Sequence, residues 1–215
     1  MKFCLLVLWL ALSQSVKGQN TVPTSNNKLI HFTPVSFSNK FSLNISPVLT
    51  IKSGDTVSTE TIDAGGFDKN AVKRQRGGNP LTGPFYIENA MAGDVLVITL
   101  TKVSLNRSYA FTTESFVSGS LPENITKRFK KAHLVKWKLN MQSGFATLDS
   151  TYEHLQYFKV PLHPFLGCIG VAPSSKNNEV LSFFQGAYGG NLDFSSITQS
   201  AIIYLPVFHE GAFLY

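Results

Sequence analysis

The sequence predicts a mainly β fold of sandwich or barrel type, and three observations carry that prediction. Apolar and polar residues alternate over short runs and show little helical spacing. Sixteen Gly and ten Pro break the chain at short intervals, as turns between strands require. Seventeen Phe and seven Tyr supply bulky core residues while only 15% of residues are charged, which excludes a disordered chain or a coiled coil.

The elements follow in order. "PVLTIKSGDTVSTETID" alternates on both sides of Ser53-Gly54-Asp55 and predicts a hairpin with strands at 47–52 and 56–62. "GPFYIENAMAGDVLVITLTKVSL" does the same around Ala92-Gly93-Asp94, so the two units read as a weak internal repeat of strand, Gly-Asp turn, strand. Further strands are predicted at "HLVKWKLN", "FATLD", "YFKVPL", "GCIGVAP" and "SAIIYLPVF". "ENITKRFKKA" alone reads as a short helical turn, with Glu123 or Asn124 as its cap. Two loops, 63–80 and 185–198, are long, Gly-containing and polar, the places where a β scaffold carries function.

Residues 1–18 form a unit of their own. Lys2, the apolar run "FCLLVLWLAL" and Gly18 have the architecture of a signal peptide, which implies a secreted or periplasmic protein with a single mature domain, residues 19–215. No later run is long and apolar enough for a membrane helix. Loss of Lys2 and Lys17 lowers the formal net charge from +6 to +4, and Cys4 leaves with them. Cys168 then has no partner for an internal disulfide, and within "FLGCIGVAP" it reads as a buried structural thiol. Two basic clusters, Lys73–Arg76 and Lys127–Lys138, read as solvated faces. No aromatics alternate with them along the chain, so no nucleic-acid partner is expected. Sequons stand at Asn44, Asn106 and Asn124.

Chemistry is narrowed by what is missing. There is no G-x-S-x-G elbow, no P-loop and no dinucleotide fingerprint after a strand. "VLTIKSGDTV" echoes copper-binding sandwiches, but Cys168 lacks a closely following His. No two His are spaced as a ligand pair, so a metal would need distant segments. His31 and Asp63 fall near the open end of the expected first hairpin, where they would converge on an ion; the plainer reading is a surface His and a capped turn. In "YGGNLD", Gly189 and Gly190 allow close backbone approach, and Asn191 and Asp193 at i, i+2 can reach one site. Such a pair binds a metal or orients water and an amide, or else it forms an Asx turn.

Four blocks stand in register: "SPVLTIKSGDTVSTETIDAGG", "GGNPLTGPFYIENAMAGDVLVITL", "HPFLGCIGVAP" and "YGGNLDFSSI…AIIYLPVFHEGAF". Together they resemble the acetamidase/formamidase family across most of residues 30–215. The resemblance implies a β-rich hydrolase that splits the C–N bond of small linear amides such as formamide or acetamide. It implies a divalent metal, zinc or calcium, and a homo-oligomer or a complementing subunit. By matching position, His31 and Asp63 would be metal ligands, and Asp193 and Asn191 catalytic groups. Asn79, Thr82, Gly83, Gly189 and Gly190 would bind substrate. Gly167, Gly170 and Pro173 match a close-packed strand block. Tyr188 stands where many members have His before Gly-Gly. The block "GDGHA-x-QGDGE", which usually follows "YLPVFHEGAF", is not present, so the expected fold is C-terminally incomplete. A catalytically inactive remnant, or a β-sandwich binding module, is the alternative expectation.

Overall fold

The structure is a computed structural model and describes residues 27–113, 121–127, 134–149, 153–175 and 177–215. The expected signal peptide and much of the second basic cluster, with His133, lie outside the described residues. Fifteen short strands, one α-helical turn and one 3-10 turn (Glu153–Leu155) are described: β1 (Leu29–Phe32), β2 (Lys40–Ser42), β3 (Leu49–Ile51), β4 (Thr56–Thr59), β5 (Phe85–Ile87), β6 (Val95–Thr99), β7 (Tyr109–Thr113), α1 (Glu123–Thr126), β8 (Leu134–Asn140), β9 (Phe145–Leu148), β10 (Lys159–Pro161), β11 (Cys168–Gly170), β12 (Glu179–Leu181), β13 (Gln185–Gly186), β14 (Gly189–Asn191) and β15 (Ile202–Pro206). The expected mainly β class holds. The strands form six small sheets that do not close into a barrel: β1-β4, β10-β9-β8-β7, β11-β14-β13, β12-β2, β15-β6 and β3-β5.

Two expectations are corrected. The repeated turns form, but neither closes a hairpin. In each, an Asp carboxylate accepts a bond from the backbone N–H three residues earlier: Lys52 N–H to Asp55 at 3.0 Å and Met91 N–H to Asp94 at 2.8 Å. Gly54 and Gly93 supply the positive φ, 93° and 99°. The strands then separate. β3 pairs in parallel with β5, β4 in parallel with β1, and β6 antiparallel with β15. Tertiary burial wins over local pairing, because the β3-β5 ladder buries Ile51, Phe85 and Ile87 together. The second correction concerns α1. It starts after Pro122, which makes no side-chain cap, and neither Glu123 nor Asn124 occupies the capping position.

The core centres on Phe41, which has no exposed surface. The rings of Tyr188 and Tyr215 each lie 5.4 Å from it, centroid to centroid. Residues 211–215 stitch the sheets around this ring. Phe85 and Leu214 exchange backbone bonds of 2.7 and 2.9 Å, Gly170 and Tyr215 exchange bonds of 3.2 and 2.8 Å, and Ile87 N–H bonds Gly211. The Tyr215 hydroxyl donates to Ser42 C=O at 2.7 Å and accepts from Ser42 N–H at 3.2 Å. Burial pushes its ionisation well above the usual tyrosine range. β2 is thereby fixed to β11 through one side chain.

Removing that hydroxyl strands a buried backbone donor and acceptor. Tyr215→Phe is expected to destabilise the protein by about 1–3 kcal/mol. Urea unfolding of the two proteins checks this, and equal midpoints would show that the bond contributes nothing.

Candidate functional site

A cleft of about 1120 Å³ opens among the described residues. It is lined by Asp94–Lys102 on β6 and its continuation, by Lys52–Val57 around the first Asp turn, by Asn79–Thr82, by Phe165–Ile169, and by Asn191 and Asp193. Four of the nine sequence-predicted site residues therefore meet there: Asn79, Thr82, Asn191 and Asp193.

The Asn191–Asp193 pair is set by the β11-β14 ladder. Asn191 stands opposite Cys168, and Asp193 N–H returns a bond to Gly167 C=O at 2.9 Å. Asp193 takes a left-handed conformation, φ 43°, which carries its carboxylate over Gly167 and beside Cys168. One Asn191 amide N–H donates to Phe183 C=O at 3.4 Å, which leaves the second N–H and the side-chain oxygen for another partner. Among the described residues no hydrogen bond engages the Asp193 carboxylate. Asp193 is exposed and Asn191 half-buried, so both are reachable from the cleft.

Gly189 and Gly190 do not line the cleft. They sit buried in the middle strand of β11-β14-β13, with φ of 92° and 108°. A Cβ on Gly189 would strike Ile169 C=O, and one on Gly190 would strike Phe184 C=O. The close approach read in the sequence is therefore made here by neighbouring strands. Gly83 is likewise buried, and a Cβ there would lie 2.8 Å from Leu214 C=O. Thr82 is buried and donates to Glu60 C=O at 3.2 Å, while Asn79 bonds Ala64 C=O through its backbone N–H.

His31 and Asp63 do not share an open hairpin end, because that hairpin does not form. His31 is exposed on β1, opposite Ser58. Asp63 has both carboxylate oxygens engaged: one accepts from Phe67 N–H at 2.9 Å and the other from Arg107 at 2.8 Å. A carboxylate capping a turn and paired with a guanidinium is poorly available to a cation. Among the described residues no three His, Cys, Asp or Glu side chains gather as a ligand set. The described donors therefore do not fit a metal at this place.

Three contributors were invisible in the sequence. Arg107 is Asp63's partner and carries no motif. Ser182, fully buried, donates through its hydroxyl to Gly78 C=O at 2.8 Å, which ties the loop bearing Asn79 to the segment bearing Phe183. Asn39 joins them, donating to Gly78 C=O at 2.8 Å. Such side chain to backbone ties depend on which loops meet, and no local pattern encodes that. Tyr188, expected as a possible gap in the chemistry, is a core residue. Its ring packs on Phe41, and its buried hydroxyl has no hydrogen-bond partner among the described residues. Burial, then the nearby Cys168, raises its ionisation.

Cys168, expected as a buried thiol, is half-buried at the edge of the core and lines the cleft. Its thiol faces Ser182 C=O at 3.7 Å, and burial, followed by the Asp193 charge, pushes it up to about 12. The folded value lies above the ordinary one, so this group contributes stability that is present below about pH 9 and is lost as pH rises towards 12.

The chain matches the acetamidase/formamidase family over residues 24–181. Solved structures share its fold. An acetamidase from Bacillus halodurans is 25% identical, with a TM-score of 0.67, over 86% of this chain and 60% of that one. A predicted acetamidase/formamidase from Thermoanaerobacter tengcongensis is 26% identical, with a TM-score of 0.68, over 87% and 59%. A gamma lactamase from Delftia acidovorans, 15% identical with a TM-score of 0.67, shares the fold alone. The chain spans about 60% of the length of these structures. No curated protein matches it.

The placement of Asp193 beside Cys168 is directly measurable. At pH 8 native Cys168 is expected to react with iodoacetamide far more slowly than in urea. Asp193→Asn should speed native labelling by removing the second cause of the raised pKa. An unchanged rate would show that the carboxylate is not beside the thiol.

Proposed function

The chain belongs to the acetamidase/formamidase family, and from that premise we propose that it hydrolyses small linear amides in the cleft beside β14. The observation that carries the reading is the meeting of Asn191 and Asp193 on one cleft, with no hydrogen bond to the Asp193 carboxylate among the described residues. The two side chains supply the groups that amide hydrolysis needs. Asp193 takes a proton from water as the water oxygen attacks the amide carbon. The free N–H of Asn191 donates to the carbonyl oxygen as it becomes an oxyanion. The tetrahedral intermediate collapses, the C–N bond breaks, and the proton on Asp193 passes to nitrogen, so that ammonia and a carboxylic acid leave. Asn79 and Thr82 shape the wall that holds the amide. Cys168 takes no part, because its thiol stays protonated across the neutral range.

One observation favours a second reading, that of a non-catalytic scaffold. The cleft, at about 1120 Å³, exceeds the roughly 300–1,000 Å³ usual for ligand sites and does not by itself enclose a molecule as small as acetamide.

Ammonia release from formamide and acetamide separates the two. The hydrolase reading expects release that falls by about 10²-fold or more in Asp193→Asn and by about 10²–10³-fold in Asn191→Ala, with melting temperatures held. No release by the wild-type chain on any linear amide selects the scaffold, and full activity in both variants sinks the site.

A further inference from the structure

The sheet β10-β9-β8-β7 carries a face that the amide site does not use. Along the chain its basic residues have no aromatic alternation, but the pairing register creates one across strands. Phe111 stands directly opposite Lys136, and Tyr109 opposite Lys138. Lys138 stands opposite Thr147, which stands opposite Lys159, so the third lysine falls in the same row. Residues directly opposite share a face. The other face holds Val135 and Ala146, both buried, and Trp137, whose indole donates to Thr112 at 3.0 Å. The lysine face is therefore the open one: the Lys136 and Lys138 side chains are 52% and 62% exposed, and Phe111 is 45% exposed.

Its charge balance is positive. Asp149 lies 3.9 Å from Lys136 and 3.2 Å from Lys138, which leaves two of the three lysine charges unbalanced among the described residues. Arg107 is spoken for by Asp63 and stacks over Tyr109 at 4.7 Å, and Lys159 sits over Phe145 at 4.4 Å. Lys136 and Lys138 are two residues apart on one strand, a separation of roughly 7 Å, and Lys159 is two strands away, roughly 10 Å. These spacings suit successive charges on a flexible anionic strand. Rings opposite Lys136 and Lys138 are what distinguish this face from a merely basic one: a base stacks on a ring while its phosphate meets the lysine.

We propose that this sheet face binds single-stranded nucleic acid, with Lys136 and Lys138 on phosphates and Phe111 as the stacking platform. The proposal does not rest on the amide reading, and its test reads binding alone. Fluorescence anisotropy of a labelled oligo-dT of about 15 nucleotides is measured over a salt series, with a heparin oligosaccharide as the second probe. The double variant Lys136→Gln/Lys138→Gln is expected to weaken oligo-dT binding and to lower the salt slope by roughly one to two. Phe111→Ala is expected to weaken binding by about tenfold at every salt concentration with the slope unchanged. Lys102→Glu, away from this sheet, should leave affinity within about twofold, and thermal melts confirm that each variant is folded. The proposal is overturned by absence of oligo-dT binding, by heparin binding without oligo-dT binding, which would assign a sulfated polysaccharide, or by equal weakening in Lys102→Glu. An unaltered Phe111→Ala affinity also overturns it, because charge alone would then explain the contact.

Discussion

Everything near the cleft depends on one buried hydroxyl holding one backbone unit. Tyr215 satisfies both the N–H and the C=O of Ser42, a residue with no exposed surface, while its ring closes against Phe41. Its own backbone pairs with Gly170 on β11. β11 in turn sets the register of β14, and that register places Asn191 opposite Cys168 and carries the chain back so that Asp193 bonds Gly167. The chain thus runs from a core aromatic, through a strand ladder, to the two polar groups on the cleft. In a molecule built of two-, three- and four-stranded sheets, such cross-ties do the work that one continuous sheet would do elsewhere.

The site also reflects what the other carboxylates are already doing. Asp55 accepts from Lys52 and Lys28 N–H groups, and these bonds lower its pKa. Asp68 accepts from Val72 and Asn70 N–H groups and pairs with Arg74, which lowers its pKa as well. Asp94 caps the second repeated turn, and Asp63 is held by Phe67 and Arg107. Each stabilises a loop by satisfying backbone donors, and oxygens so engaged are poorly placed to hold a ligand. Asp193 differs because its conformation aims it at Gly167 and Cys168, neither of which donates a hydrogen bond to its carboxylate. A glycine at 167 is what leaves room: a Cβ there would lie 2.7 Å from the Asp193 carboxylate.

Strand positions were legible because alternation is a local property. The segments at 134–140, 145–148, 159–161, 168–170 and 202–206 fall inside the predicted runs. The Gly-Asp repeat was legible for the same reason, down to the turn that each Asp closes. Partner choice was not, because it is decided by what each strand buries: Ile51 gains more against β5 than against the strand that follows its own turn. That single failure moved His31 and Asp63 away from the shared hairpin end that the sequence implied. In "YGGNLD" the pattern could not tell that the glycines serve strand packing while Asn191 and Asp193 line the cleft. Arg107, Ser182 and Tyr215 act through backbone carbonyls or distant carboxylates, and nothing in their neighbours announces it. The basic cluster shows the converse limit, since its aromatic partners on β7 are adjacent only after folding.

Through these bonds the Tyr215 junction is expected to join β5, β11 and residues 211–215 into one cooperative unit. Residue-resolved hydrogen exchange in low urea tests it most directly. The amides of Phe85, Ile87, Gly170, Leu214 and Tyr215 are predicted to exchange with one free energy and one denaturant dependence, those of global unfolding. Exchange of Leu214 and Tyr215 well ahead of Phe85 and Gly170, while the rest of the protein stays protected, would contradict it.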